Sequence, residues 1–185
     1  MKVELLSISD NWQNIKNAAM ITIGKTSGKY PDSEWKRKLL LSEHSPIRKL
    51  SISWKWIDIP YWVSVHLVRH KIGIEHFVKT QRSDRTGIDR NDLPQGALVT
   101  HECQANAQAI ITISRKRLCN QASKETREAW QLFLDSFKEK EKELYSVCAR
   151  ECVYRGFCSE FKSCGYDETE EFQLELKNYR NNVAK

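Results

Sequence analysis

Arg69-His70-Lys71-Ile72-Gly73-Ile74-Glu75-His76-Phe77-Val78-Lys79-Thr80-Gln81-Arg82 sets a basic triplet, an apolar-polar segment and a second polar, basic stretch in one short span. On a helix three consecutive side chains splay by about 100° each, whereas at a helix end they can converge on a bound anion. A basic triplet alone is more often solvated surface, because charged side chains are mostly exposed. The flanking sequence therefore decides. Pro60 suits the first turn of a helix carrying Trp62, Val63, Val65, His66, Leu67 and Arg69, and the stretch from Glu75 to Ser83 reads as a strand. Upstream, Leu50, Ile52, Trp54 and Trp56 alternate with Ser51, Ser53 and Lys55, which puts the apolar residues on one face of a strand.

Working outward, Lys2 to Ser9 alternates weakly as a half-buried strand, and Asp10 stands at an N-cap position ahead of Trp12, Ile15, Ala19 and Ile23. Gly24, Ser27, Gly28 and Pro31 mark a turn, after which Asp32 or Ser33 caps a short helix through Leu41 that ends near His44-Ser45-Pro46. Thr86 to Gly96 is a turn-rich surface loop. From Thr100 the spacing of Ala105, Ala109, Ile110, Ile113 and Leu118 predicts a helix. A second helix is predicted from Ser123 through Trp130, Phe133, Leu134, Phe137 and Leu144, with the Lys-Glu run 138–143 as its solvated face. The charged tail 166–185 carries no recognisable chemistry.

At 185 residues and 40% hydrophobic content the chain is long enough for one domain, residues 1–185, with a Cys-rich segment at 148–164. A net charge of +6 points to an anionic partner without choosing one. The N-terminus has no signal-like apolar region and no run is long enough to span a bilayer, so a soluble cytoplasmic protein with reduced thiols and no membrane partner is expected. Cys148-x3-Cys152-x5-Cys158-x5-Cys164 offers four thiolates for a structural zinc, but the spacing is not a two-residue knuckle, and buried free thiols are the simpler reading, so no metal is expected.

Arg69-His70-Lys71 followed by a strand and Thr80-Gln81-Arg82 resembles the RHR-x7-S signature of flavin-dependent thymidylate synthases. Asn106 to Ser123 is similar to that family's helix, in which an early asparagine binds flavin and a later arginine contacts uracil; Asn106 and Arg117 match, about 16 Å apart at roughly 1.5 Å per residue. Ala122, Glu125 and Arg127 look like the family's A-Q-x-E-I-R segment. The departures are Lys79 for serine, unless Thr80 takes the hydroxyl role, His76 and Phe77 for asparagine and glutamate, Gln108 for arginine and Arg48 for glutamate.

The resemblance implies an α/β (α+β) domain with a central sheet flanked by helices, assembled as a homotetramer with shared active sites. It implies FAD as cofactor, NADPH and methylenetetrahydrofolate as co-substrates, and dUMP converted to dTMP. Flavin contacts are expected from Ser45, Arg69, His70, Lys71, His76, Asn106 and Gln108, and substrate contacts from His66, Arg69, Lys79, Thr80, Gln81, Arg82 and Arg117. Arg117 is the expected catalytic residue, through electrostatic stabilisation of charge developing on uracil. Cys103 or Cys119 as a nucleophile is the weaker alternative. A related enzyme adding another C5 group, for example a hydroxymethyl, is the second reading. The third is a nucleic-acid binder using the arginines with Trp54, Trp56 and Trp62; periodicity favours a core role for Trp54 and Trp56, so no nucleic acid is expected.

Overall fold

The computed structural model describes residues 1–9 and 11–183. In chain order they form β1 (Lys2–Ser9), α1 (Trp12–Ile21), α2 (Ser33–Leu41), a 3-10 turn (Ser45–Lys49), β2 (Ser51–Pro60), α3 (Tyr61–Leu67), β3 (Ile74–Val78), α4 (Ser83–Thr86), a 3-10 turn (Arg90–Asp92), β4 (Leu98–Asn106), α5 (Ala107–Arg117), α6 (Lys124–Phe137), α7 (Lys142–Val147), α8 (Glu151–Arg155), a 3-10 turn (Tyr166–Glu168) and α9 (Glu170–Val183). The four strands make one antiparallel sheet in the order β1-β2-β4-β3, so β1 and β3 are its edges.

The alternation along β2 does what a period of two requires: Ile52, Trp54 and Trp56 are fully buried on one face. A bulge follows, with Asp58 in the left-handed region at φ +59, so that Ile59 returns to the buried face. Against that face lies α6, whose Trp130 and Phe133 pack on Trp54. The opposite face, carrying Glu102, Gln104 and Phe77, stays exposed. Trp54 and Trp56 are thus core residues and cannot stack on bases.

Several sequence expectations are corrected. Residues 100–106 are not helical: Val99, His101, Cys103 and Ala105 alternate as the buried face of the central strand β4, and the helix begins only at Ala107. The segment Glu75 to Ser83 is a strand only to Val78 and ends in the turn of α4. α3 stops at Leu67, leaving Arg69 beyond it, and α1 stops at Ile21, leaving Ile23 exposed. Asp10 lies outside the described residues; Asn11 caps α1, its side chain accepting from the Asn14 N–H, and Asp32 caps α2 at 2.8 Å from the Trp35 N–H. The tail forms α9, docked through Phe172 and Leu176 on Ala149 and Val153.

The Lys-Glu run is not one helical face either. It spans the break between α6 and α7, and Glu141 is buried, accepting a 2.9 Å hydrogen bond from Trp12 Nε1. Burial pushes the Glu141 carboxyl above its ordinary 4.5. A carboxyl raised in the folded state costs stability as pH rises past its unfolded value, and the cost vanishes below it. Glu141→Gln keeps an acceptor for Trp12 without the charge. It is expected to melt at or above the parent temperature at pH 8, with the gap closing below pH 4.5, in melts followed by circular dichroism; a variant several degrees less stable at pH 8 would contradict this.

Candidate active site

Beyond the last turn of α3 the chain bends through Arg69, His70 and Lys71 into Gly73, whose φ of +72 suits glycine. A Cβ on Gly73 would lie 2.7 Å from the Asn106 side-chain nitrogen, and the Gly73 carbonyl accepts at 2.9 Å from the Asn106 N–H. Asn106 in turn caps α5, its Oδ1 accepting from the Ala109 N–H at 2.9 Å. This tie brings the basic triplet beside the start of α5. Arg48, Arg69, His70 and Lys71 then share a cleft of about 560 Å³ with Gly73, Asn106, Gln108, Ala109, Thr112 and Ile113. Gly73→Ala is expected to cost about 1–3 kcal/mol in denaturant unfolding, from strain and the displaced amide; an unchanged midpoint would show that Asn106 yields freely.

Arg117, the last residue of α5, reaches across to the end of α3. Its Nε donates to His70 Nε2 at 2.7 Å and its Nη2 to the His66 carbonyl at 2.6 Å, one of the carbonyls a helix leaves open at its C-terminus. His70 titrates low, at about 4, through burial first and then the positive charge of Arg117, so it is neutral near pH 7. With Nε2 accepting, its proton sits on Nδ1. Burial, then Arg69, also lowers Arg117. His66 is held against α6, its Nδ1 3.2 Å from Thr126 Oγ1.

Behind the cleft, His76 Nδ1, His101 Nε2 and Cys103 Sγ lie 3.0–3.2 Å apart, and His76 Nε2 is 2.8 Å from the His70 carbonyl. His76 therefore faces the interior and supports the triplet from below. His101 is pushed down to about 4 by burial, and burial holds Cys103 as a thiol, which argues against it as a nucleophile. The alternation that makes His101 and Cys103 buried neighbours was the sequence signal for this cluster.

The remaining expected residues lie elsewhere. Lys79, Thr80 and Gln81 line a second cleft with Arg85, Thr86 and Leu98, while Arg82 is exposed and paired with Asp84 at 2.7 Å. The two clefts sit at opposite ends of β3. Ser45 is exposed at the head of the 3-10 turn that carries Arg48. Gln108 donates to Glu43, which also takes Arg115, so the amide on the cleft wall is already engaged. Arg48, noted in sequence only as a departure, is a cleft residue in its own right.

No protein-family model and no curated protein matches the sequence. Solved structures do match. A crystal structure of the flavin-dependent thymidylate synthase of Helicobacter pylori complexed with FAD and dUMP superposes with a TM-score of 0.66 at 13% identity, over 81% of this chain and 100% of that one. A second structure of the Helicobacter pylori enzyme with FAD and dUMP gives 0.64 at 14% identity, over 80% and 98%. The chain therefore has the fold of those enzymes. Among the described residues no helix is long and apolar enough to cross a membrane.

Proposed function

We propose that the chain is a flavin-dependent thymidylate synthase that converts dUMP to dTMP, with methylenetetrahydrofolate as carbon donor and NADPH as reductant. The observation that carries this reading is the cleft at the end of α3, where Arg69, His70 and Lys71 meet Asn106 and Gln108. The residues present fit FAD in size and sign: the cleft falls within the roughly 300–1,000 Å³ typical of organic ligand sites, and Arg48, Arg69 and Lys71 face an anionic pyrophosphate with positive charge. Held there and reduced by NADPH, FAD would supply the hydride.

The chain's own groups then divide the work. Arg69 and Lys71 hold phosphate oxygens, and His70 offers an Nδ1–H donor fixed in orientation by Arg117. Asn106 and Gln108 form the amide-bearing wall, and Ser45 is proposed as a further flavin contact. On the nucleotide side, Lys79, Thr80, Gln81 and Arg82 receive the dUMP phosphate and sugar through charge-assisted hydrogen bonds. Arg117 and His66 are the residues proposed to meet uracil, with the Arg117 guanidinium, held between His70 and the His66 carbonyl, stabilising negative charge as it develops. The two clefts occupy opposite ends of the edge strand β3, and in the proposed homotetramer a complete site draws each half from a different copy. The open sheet face with exposed Phe77 gives the copies a surface on which to meet.

The test is tritium release from C5-labelled dUMP in the presence of FAD, NADPH and methylenetetrahydrofolate. Release dependent on all of them is expected, and none at any enzyme concentration would refute the assignment. His76 facing inward and Phe77 facing solvent, where the family pattern has an amide and a carboxylate, favour a second reading: a related enzyme that adds another C5 substituent such as hydroxymethyl. The mass of the product nucleotide distinguishes the two.

A further inference from the structure

The segment from Gly156 to Gly165 has no helix or strand, yet it folds back against the end of α5. Hydrophobic burial does not account for that placement, since both of its aromatic residues, Phe157 and Phe161, are exposed. What it contributes to the fold beneath it is sulfur, with Cys158 half-buried and Cys164 exposed. Cys158 and Cys164 line a small enclosed cavity together with Cys152 from α8 and Cys119 from just beyond α5. The cavity is about 10 Å³, the room one water-sized body needs. All four cysteines are unpaired thiols. A loop that presents thiols to a small cavity and leaves its phenylalanines in solvent is one that a metal, rather than an apolar core, can organise.

We propose that Cys119, Cys152, Cys158 and Cys164 bind one tetrahedral, thiophilic divalent ion of the zinc type as a structural clip. This set differs from the four consecutive cysteines of the sequence: Cys148 faces another cleft, against α9, and Cys119 takes its place. The four sulfurs line the cavity but do not all lie within 4.8 Å of one another, so binding would require rotation about their Cα–Cβ bonds to reach the ~2.3 Å of zinc–thiolate bonds. Binding would release the four thiol protons, and no electron transfer is involved. Arg150 on the cavity wall and Lys116 near Cys119 bring positive charge, although each is paired, with Glu175 and Glu160, and Glu151, Glu160 and Asp167 share the lining. A single ion suits the cavity; an iron–sulfur cluster needs more room. Since Cys119 stands two residues beyond Arg117, the clip would also anchor the end of α5 that holds His70. The inference does not depend on the proposed function.

The full chain, purified without chelator and dialysed against zinc, is expected to retain one zinc per chain. Replacement by Co²⁺ should give the thiolate-to-cobalt charge-transfer intensity of four sulfurs. Zinc content is expected to fall to below about a tenth in Cys158→Ser and Cys164→Ser, and to persist in Cys148→Ser. The cobalt spectrum is read on the parent protein, so it decides the matter even if a variant fails to fold. Absence of bound metal, iron with sulfide, a mass showing disulfides among these cysteines, or an ion lost only in Cys103→Ala, which would move it to the His76–His101–Cys103 cluster, would each overturn the proposal.

Discussion

Trp54→Ala is expected to destabilise the protein by about 3–5 kcal/mol. Trp54 is fully buried at the centre of the sheet, stacked on Phe133 at 3.6 Å between ring centroids and set edge-on to Trp56 at 5.3 Å and Trp130 at 6.1 Å. Removing the indole leaves a cavity that three large rings cannot close. Domains of this size hold a margin of only about 5–15 kcal/mol, so the variant should be poorly soluble or unfold at low urea. Trp54→Phe provides the contrast. Trp56 donates its indole N–H to the Ala129 carbonyl and Trp130 to Ser114, whereas the Trp54 Nε1 is buried without a partner. Phenylalanine keeps the stacking and removes that unpaired donor, which offsets part of the lost volume. Its cost in urea unfolding should be at least about 2 kcal/mol less than that of alanine; equal losses would mean that the indole N–H is satisfied in solution.

Arg117→Ala is expected to weaken both stability and the cleft. The guanidinium joins the end of α5 to the end of α3 through two acceptors, at 2.7 Å on His70 and 2.6 Å on the His66 carbonyl. Its loss leaves both unpaired in a half-buried site, which costs about 2–3 kcal/mol, and frees the His70 ring. FAD affinity should fall by roughly tenfold or more, since the donor geometry at His70 is no longer fixed. Arg117→Lys should not rescue it: one ammonium on a flexible stem cannot serve two acceptors that need a planar fork. Titration of each variant with FAD, followed by fluorescence quenching, checks this. Full recovery in the lysine variant would reduce Arg117 to a point charge.

How far the sequence foretold the molecule depended on which residues filled the buried positions. β2 was legible because Ile52, Trp54 and Trp56 are unmistakably apolar between Ser53 and Lys55. β4 has the same alternation, but its buried places hold His101, Cys103 and Ala105, which read as polar, reactive and helix-forming, so in sequence a central strand resembles the start of α5. The role of Glu141 rests on Trp12, far earlier in the chain, and no local pattern reports that pairing. At the site, Arg69, His70, Lys71, Asn106 and Gln108 were expected together and share one cleft. Lys79 to Gln81 were expected beside them, but β3 runs between the two groups and carries them to its opposite ends. The exchange of Cys148 for Cys119 at the small cavity has the same origin: spacing along the chain says which residues are near in sequence, not which helix ends meet.

The central claim is that the cleft at Arg69, His70 and Lys71 is a flavin site. Its most direct test is the visible absorption spectrum of the purified protein after incubation with FAD and removal of the excess, before and after addition of dUMP. The proposed function leads to retained flavin with a perturbed band, a further change on adding dUMP, and loss of both in Arg69→Ala. A colourless protein whose spectrum is that of buffer alone, with or without dUMP, would contradict it.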